Sequence, residues 1–416
     1  MIKVLRLAMK NLLRTKRRTL LTGLLIAVGV VAVIMFTGLS GSFQRAIVGQ
    51  ITDSVISHIQ VHRKGYMASV DNLPLDRMIP PGAYGKLADI LSRADGVEAF
   101  SPRIKFGAML SNYAQTTTVR LNGVDPEKAR QVVPLLSSRV KGAVRGDTLL
   151  KKGEILLPET VARGMGIKTG DTVVVVANNK DGSVNGMTFE VAGVVESLMG
   201  PGGRDGYLHI EEAAALLRME APEISEVAVR IKNFEQVPAV EERLRTSLGA
   251  ITNKQNTPLF EIHSWDRLTP FYNVVRMIDI MTLGIKVILI AVVLISVLNV
   301  MMMSVYERVR EIGTLAAMGT RPGQIMALFV AEGFCLGLAG AFAGAAVGLG
   351  ALRVLRMTGV DVAFGGANQV FTLAPAVEPG EVISACLTVL GVSILAGLQP
   401  AAKAARLEPV DALRHV

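Results

Sequence analysis

Hydrophobic positions cluster in four blocks along the chain. Residues 19–44 carry no charge at all, and residues 287–306, 333–352 and 382–402 are equally free of Asp, Glu, Lys and Arg. A membrane-spanning helix needs roughly 20 apolar residues, so each block predicts one crossing. Between the first and second blocks the pattern changes to short alternating runs. Ser57-His58-Ile59-Gln60-Val61-His62 and Thr118-Val119-Arg120-Leu121 alternate polar with apolar and predict half-buried strands, which would place His58 and His62 on one solvated face. Residues 84–94 show a helical stripe of Leu87, Ile90 and Leu91 that stops at Gly96. Glu154-Ile155-Leu156-Leu157-Pro158 predicts a strand and 159–165 a short helix. Strands follow over 172–177 and 188–195, with a turn at 178–186, and a last helix covers 237–248.

This pattern predicts four transmembrane α-helices, one plus three, with a large α+β extracytoplasmic domain between helices 1 and 2. The expected partition is a cytoplasmic amphipathic helix over 1–18, spans over 19–44, 271–306, 325–352 and 382–402, and the α+β domain over 45–270. A cytoplasmic loop occupies 307–324, a short outer loop 353–381 and a cytoplasmic tail 403–416.

Charge sets the orientation. Seven basic residues and no acid precede the first span (Lys3, Arg6, Lys10, Arg14, Lys16, Arg17, Arg18), and basic residues also follow the second span and the fourth. Positive charge stays on the cytoplasmic side, so both termini are expected there. The first block is too long for the core of a cleaved signal peptide. A net charge of +9 could suggest nucleic acid, but most of the excess lies in this N-terminal cluster and aromatic residues are only 5%. Orientation and attraction to membrane lipids explain it, and no nucleic-acid partner is expected. Half the residues are hydrophobic and the mean hydropathy is +0.42, which suits a membrane protein with a sizeable water-exposed part. Cys335 and Cys386 fall near opposite ends of two antiparallel spans, too far apart to bridge.

Candidate chemistry is sparse. His58 and His62 lack the Glu of a zinc-protease motif, and neither a metal nor a catalytic residue is expected. No Gly-x-x-x-x-Gly-Lys-Ser/Thr occurs, so this chain is not expected to hydrolyse nucleotide alone or to bind a cofactor of its own. The Gly-rich segment 197–207 is either a flexible turn or an external contact loop whose candidate residues are Leu198, Met199 and Arg204. Segment 307–319 holds Glu307, Arg308, Arg310, Glu311, Ile312, Gly313, Met318 and Gly319. Its i,i+3 pairs Glu307 with Arg310 and Arg308 with Glu311 favour a helix, which Gly313 and Gly319 would interrupt. A charged helix between two spans either lies in solvent or docks on another protein. Gly340, Gly344 and Gly348 repeat at four-residue steps and predict close helix packing against an unspecified partner. Asp279, Lys286 and Glu332 are costly in lipid, so they either snorkel to the interface, the expected explanation, or mark a polar pathway.

Several motifs together resemble the FtsX-like, MacB-like superfamily of ABC transporter permeases, and most of all its lipoprotein-releasing, LolC/LolE-type branch. They are Leu7-Ala8-Met9-Lys10-Asn11-Leu12-Leu13-Arg14, Glu307-Arg308-Val309-Arg310-Glu311-Ile312-Gly313 with Met318-Gly319, Ala331-Glu332-Gly333, and Pro400-Ala401-Ala402-Lys403 through Arg414. The resemblance implies a multi-pass protein of the bacterial inner membrane. It would pair with a second permease copy, identical or homologous, and with two copies of a cytoplasmic ABC ATPase. Segment 307–319 would be the helix that docks on that ATPase, with Ala316 standing where relatives often have Arg. The implied action is mechanotransmission on a lipoprotein or other amphipathic cargo handed to a periplasmic carrier. The competing function is a regulatory FtsX-like subunit that switches an external partner such as a cell-wall hydrolase.

Overall fold

The computed structural model describes residues 8, 10–12, 14, 16–142, 149–197, 204–253, 255–268, 271–363, 370–373 and 375–406. Among these, four helices are long and apolar enough to cross a membrane: Lys16–Ile51, Phe271–Glu307, Pro322–Thr358 and Pro379–Ala405. At ~1.5 Å per residue, the first three are each roughly 55 Å long, far more than a ~30 Å hydrocarbon core requires. The uncharged blocks are therefore only parts of longer helices. The chain divides into two units, Met1–Ala46 with Val275–Val362 and Val370–Val416, and Ile47–Val274 with Ala363–Gln369.

In the helical unit the third span has two glycine faces. A Cβ on Gly344 would lie 2.6 Å from the Ala27 carbonyl oxygen and 2.7 Å from Val30 Cβ, and one on Gly340 would lie 2.7 Å from Ile26. The predicted stripe thus packs against the first span of the same chain. Gly333 and Gly337 face the fourth span instead, where a Cβ on Gly337 would come within 2.8 Å of Ser393. Missing side chains let the backbones approach, which is how helices associate where no hydrophobic effect drives them together. Residues 353–381 are not a plain loop: the third span runs on to Thr358, and strands Val360–Ala363 and Val370–Leu373 pair with each other before the fourth helix opens at Pro379.

The other unit is an α+β domain built on ten strands. They are β1 (Ile59–Arg63), β2 (Val97–Ser111), β3 (Thr116–Val124), β4 (Val140–Lys141), β5 (Glu154–Pro158), β6 (Thr172–Asn178), β7 (Val184–Val195), β8 (Asp205–His209), β9 (Glu226–Ile231) and β10 (Phe260–Ser264). Their order is β10-β1-β9-β2-β3-β8-β5-β7-β4, with β6 bridging β2 and β7. The β6 and β7 strands extend into the expected turn, so only 179–183 link them. One core holds Ile59, Val61, Phe106, Val229 and the inner faces of helices Pro81–Arg93 and Val237–Gly249. A second core forms around Val124, Ala129, Val132 and Tyr207.

The histidines fall in a different environment from the expected one. His58, just ahead of β1, packs edge-on against Phe234 and His62 stacks on Tyr66, so both are buried and not solvated. The segment expected as a loop through Tyr207 becomes strand β8 from Asp205, parallel to β3. Leu198 and Met199 lie outside the described residues.

Candidate functional site

Between the second and third spans the chain makes a compact helical turn. The second span ends at Glu307, Arg308 leaves helical geometry (φ −113°, ψ 20°), and a new helix runs over Val309–Ala317. Gly313 does not interrupt this helix but lies buried within it. The stop is Gly319, at φ +87°, where Gly319 N donates to Ala316 O (3.0 Å) and Thr320 N to Leu315 O (3.1 Å). A left-handed residue after a helix favours glycine, and Pro322, which has no N–H to lose, starts the next span.

The predicted docking residues divide by side. Ile312 and Gly313 are buried and anchor the helix to the bundle. Glu307, Arg310, Met318 and Gly319 are exposed, Met318 by 74%. Arg308 and the partly exposed Glu311 join a network that reaches two other helices.

The network's buried member is Glu332, only 3% exposed, near the start of the third span. Its Oε1 accepts from Arg308 Nη1 at 3.0 Å and from Asn11 Nδ2 at 2.9 Å. A buried carboxylate is tolerated only when paired and hydrogen-bonded, so this is an internal ion pair and not the expected snorkelling side chain. Arg308 also donates from Nε to Glu311 Oε2 (3.0 Å), while Arg14 Nη2 donates to Glu311 Oε1 (2.7 Å). Hydrogen bonding from Arg308, reinforced by Arg14, holds the Glu311 carboxyl below the usual carboxylate range. A cavity of about 200 Å³ lined by Asn11, Thr22, Ser304 and Glu332 lies beside the network, polar and large enough for ordered water. Three chain segments, separated by as many as 321 residues in sequence, are thus tied together by one set of charges. The sequence signal for Glu332 was an acid at the edge of an uncharged run; nothing in the sequence pointed to Asn11 or Arg14 as its neighbours.

In the α+β domain, Arg204 is exposed and lines a cleft of about 950 Å³ together with apolar Ala108, Met109, Val119, Val161 and Val176 and polar Thr118, Arg120 and Asn178. A further charged cluster there escaped sequence reading. Glu226 is buried with Lys105 Nζ at 2.8 Å, Arg103 Nη1 at 3.3 Å and His62 Nε2 at 3.5 Å. Burial alone would raise its pKa, but the charge of Lys105, with His62 and Arg103, overcomes this and holds it below the carboxylate range. Among the described residues no group of three or more His, Cys, Asp or Glu is placed to hold a metal ion.

Four apolar helices, an α+β domain between the first two, and a charge-locked helical turn after the second describe a polytopic membrane protein with one large domain outside its helical bundle. Comparison with known proteins gives its family. Residues 19–247 match the MacB-like periplasmic core domain and residues 283–409 match the FtsX-like permease C-terminal model. The chain belongs to the FtsX-like, MacB-like permeases, and its α+β domain is the periplasmic core domain of that family. It is 25% identical to the lipoprotein-releasing system transmembrane protein LolC of Neisseria meningitidis, over 94% of this chain and 92% of that one. It is 24% identical to the macrolide export ATP-binding/permease protein MacB 1/2 of Paracoccus denitrificans, covering 99% of this chain and 58% of the relative. The chain thus spans little more than half the length of that exporter. Among solved structures, the periplasmic region of MacB from Actinobacillus actinomycetemcomitans aligns at a TM-score of 0.34 and 15% identity, over 51% of this chain and 92% of that one.

Proposed function

We propose that this chain is the permease subunit of an ATP-driven transporter working by mechanotransmission, which extracts or exports a lipoprotein or other amphipathic cargo from the inner membrane or periplasm. Both termini and the turn at 307–321 face the cytoplasm. The exposed face of helix Val309–Ala317, with Arg310 and Met318, docks on a separate ATPase that carries ATP and Mg, two copies serving two permease chains. The observation that carries this reading is the second side of that helix. Arg308 and Glu311 bind it to Glu332 of the third span and to Arg14 ahead of the first, so a push on the exposed face is passed to both. The cargo reading draws on near full-length similarity to a lipoprotein-releasing protein and on the partly apolar cleft beside Arg204, which suits an amphipathic ligand or its carrier.

The test is Arg310→Glu combined with Met318→Ala, which alters only the exposed face. Membrane insertion and melting of the permease should be unchanged, while cargo-stimulated ATPase activity of the assembled complex falls about tenfold or more. Unchanged stimulation would remove the docking assignment. Capture of a cell-wall hydrolase, and no lipoprotein, by the intact complex would favour the regulatory alternative.

A further inference from the structure

The helix Lys16–Ile51 does not simply stop where the periplasmic domain begins. It widens into a single π-helical turn, Thr52–Ile56, closed by Ser57 N donating to Thr52 O at 2.9 Å. The last carbonyls of a helix have no partner within it and carry its partial negative charge. Here the partners come from distant parts of the domain. Arg139 Nη1 donates to Ser54 O (3.2 Å), Arg103 Nη1 to Val55 O (2.6 Å) and Gln60 Nε2 to Ile56 O (3.0 Å), while Arg230 Nη1 pairs with the Asp53 carboxylate (2.6 Å). The main chain of Asp53 is held as well, by Leu135 N donating to its carbonyl at 2.9 Å.

Two features show that this is more than ordinary capping. Arg139 is the largest fully buried side chain in the protein's described residues; it donates to the main-chain oxygens of Ser54 and Glu196 and also faces Tyr207 and the carboxylates of Glu196 and Asp205. Burying a guanidinium is expensive, and a plain helix end could be capped by water or a hydroxyl. Next, Ser57 sits at φ +65°, ψ −170°, a region reached almost only by glycine, and is itself buried. Such a conformation persists only where the surroundings over-determine it.

We infer that Arg103, Arg139 and Arg230 form a rigid joint on residues 53–56 through which movement of the first span is delivered to the periplasmic domain. This rests on the mechanotransmission reading above. A π-turn without the collar would be a hinge, and a hinge at this point would absorb the stroke. With three guanidinium groups fixed to successive residues, the turn moves with the sheet. Arg103 comes from β2, Arg230 from β9 and Arg139 from the segment before β4, so the load is spread over separate strands.

The experiment uses the full-length permease assembled with its ATPase in lipid nanodiscs. Cys335 and Cys386 are replaced by Ala, and spin labels are placed at Lys86→Cys and Met357→Cys, both exposed. In the parent protein the distance between labels shifts on adding ATP. In Arg139→Met with Arg230→Gln the basal ATPase stays within about twofold while the shift and cargo stimulation fall about fivefold or more. Arg139→Lys, which keeps the charge but loses the planar fork, falls in between. Loss of ATP-driven movement with retained basal hydrolysis supports the joint; a full shift in the double variant overturns it. Absence of any shift in the parent fails the mechanotransmission reading, and the joint falls with it. If the double variant does not fold, amide exchange in the unmodified complex decides. Residues 52–58 must stay protected throughout ATP turnover, and exchange as fast as at exposed loops overturns the joint.

Discussion

The membrane bundle and the periplasmic domain each bury a charge-paired carboxylate, but with different numbers of partners. In the domain, one carboxylate, Glu226, is surrounded by Lys105, Arg103 and His62, and two further arginines bind the turn at 53–56. In the bundle, one carboxylate, Glu332, is held by one arginine and one asparagine. Around Glu226 the cations outnumber the carboxylate, and Arg103 and Arg139 donate to main-chain oxygens of the turn. The bundle's set is minimal, so one change there leaves a buried charge without its counter-ion. Glu226 therefore keeps a cation when any one partner is lost, whereas Glu332 does not.

The largest expected difference lies in acid. Glu226 has a folded pKa below its ordinary 4.5, so it adds stability that is present above pH 4.5 and lost as pH falls below it. Burial, aided by Arg230, depresses His58 from 6.5, and burial depresses His263 likewise, so their contributions are lost as pH falls below 6.5. Asp205, whose carboxyl burial pushes upward, works in the opposite direction. Amide exchange of the whole protein should show the domain losing protection gradually below pH 6.5 and steeply below 4.5. Glu226→Gln should flatten the steep part. At neutral pH it should cost about 3–5 kcal/mol by stranding Arg103 and Lys105. An acid profile unchanged by this substitution would show that the cluster does not set the domain's stability.

In the bundle, Arg308→Met should be nearly as severe, about 3–5 kcal/mol, because Glu332 keeps only Asn11. Arg308→Met together with Glu332→Leu should recover most of that loss, since an apolar pair of similar volume removes the buried charge altogether. Thermal melting in detergent separates the two outcomes. If the double variant melts as low as the single one, the pair holds more than its own charges.

A smaller effect is expected at the glycine faces. Gly344→Ala forces a Cβ to 2.6 Å from the Ala27 carbonyl oxygen and should destabilise the bundle by about 1–3 kcal/mol. Gly350→Ala, on the same helix with nothing within 4 Å of the new Cβ, should be neutral or stabilise by up to about 1 kcal/mol. Equal melting points for the two would mean that close approach to the first span is not what the stripe provides.

How much of this was legible in the sequence depends on whether the signal was local. The four apolar blocks and the helices expected at 159–165 and 237–248 each occupy consecutive residues, and helices cover them in the structure. Strand β2, the longest in the sheet, gave no usable pattern, because Pro102 and Gly107 sit in it and a proline argues against a ladder position. The histidines were misjudged because alternation identifies a strand's two faces but not whether a second layer covers the polar one. The site was half legible. Arg308 and Glu311 stood out as an i,i+3 pair, whereas Glu332 and Asn11 complete the network across 321 residues, a separation no single-sequence pattern spans.

The mildest prediction isolates what burial does. Arg14 pairs with Glu311 at 2.7 Å, shorter than the Arg308–Glu332 contact, yet its side chain is 71% exposed and that of Glu311 is 40% exposed. An exposed pair is screened by water and salt and contributes about 0–1 kcal/mol. Arg14→Ala should therefore leave the melting temperature of the bundle nearly unchanged at physiological salt. Any effect should grow as ionic strength is lowered and the Debye length lengthens. Arg308→Met should show little such salt dependence, because Glu332 is out of reach of counter-ions. Should Arg14→Ala lower the melting temperature as far as Arg308→Met does, distance and not burial would govern this network. The segment ahead of the first span would then be as firmly latched to the turn as the third span is.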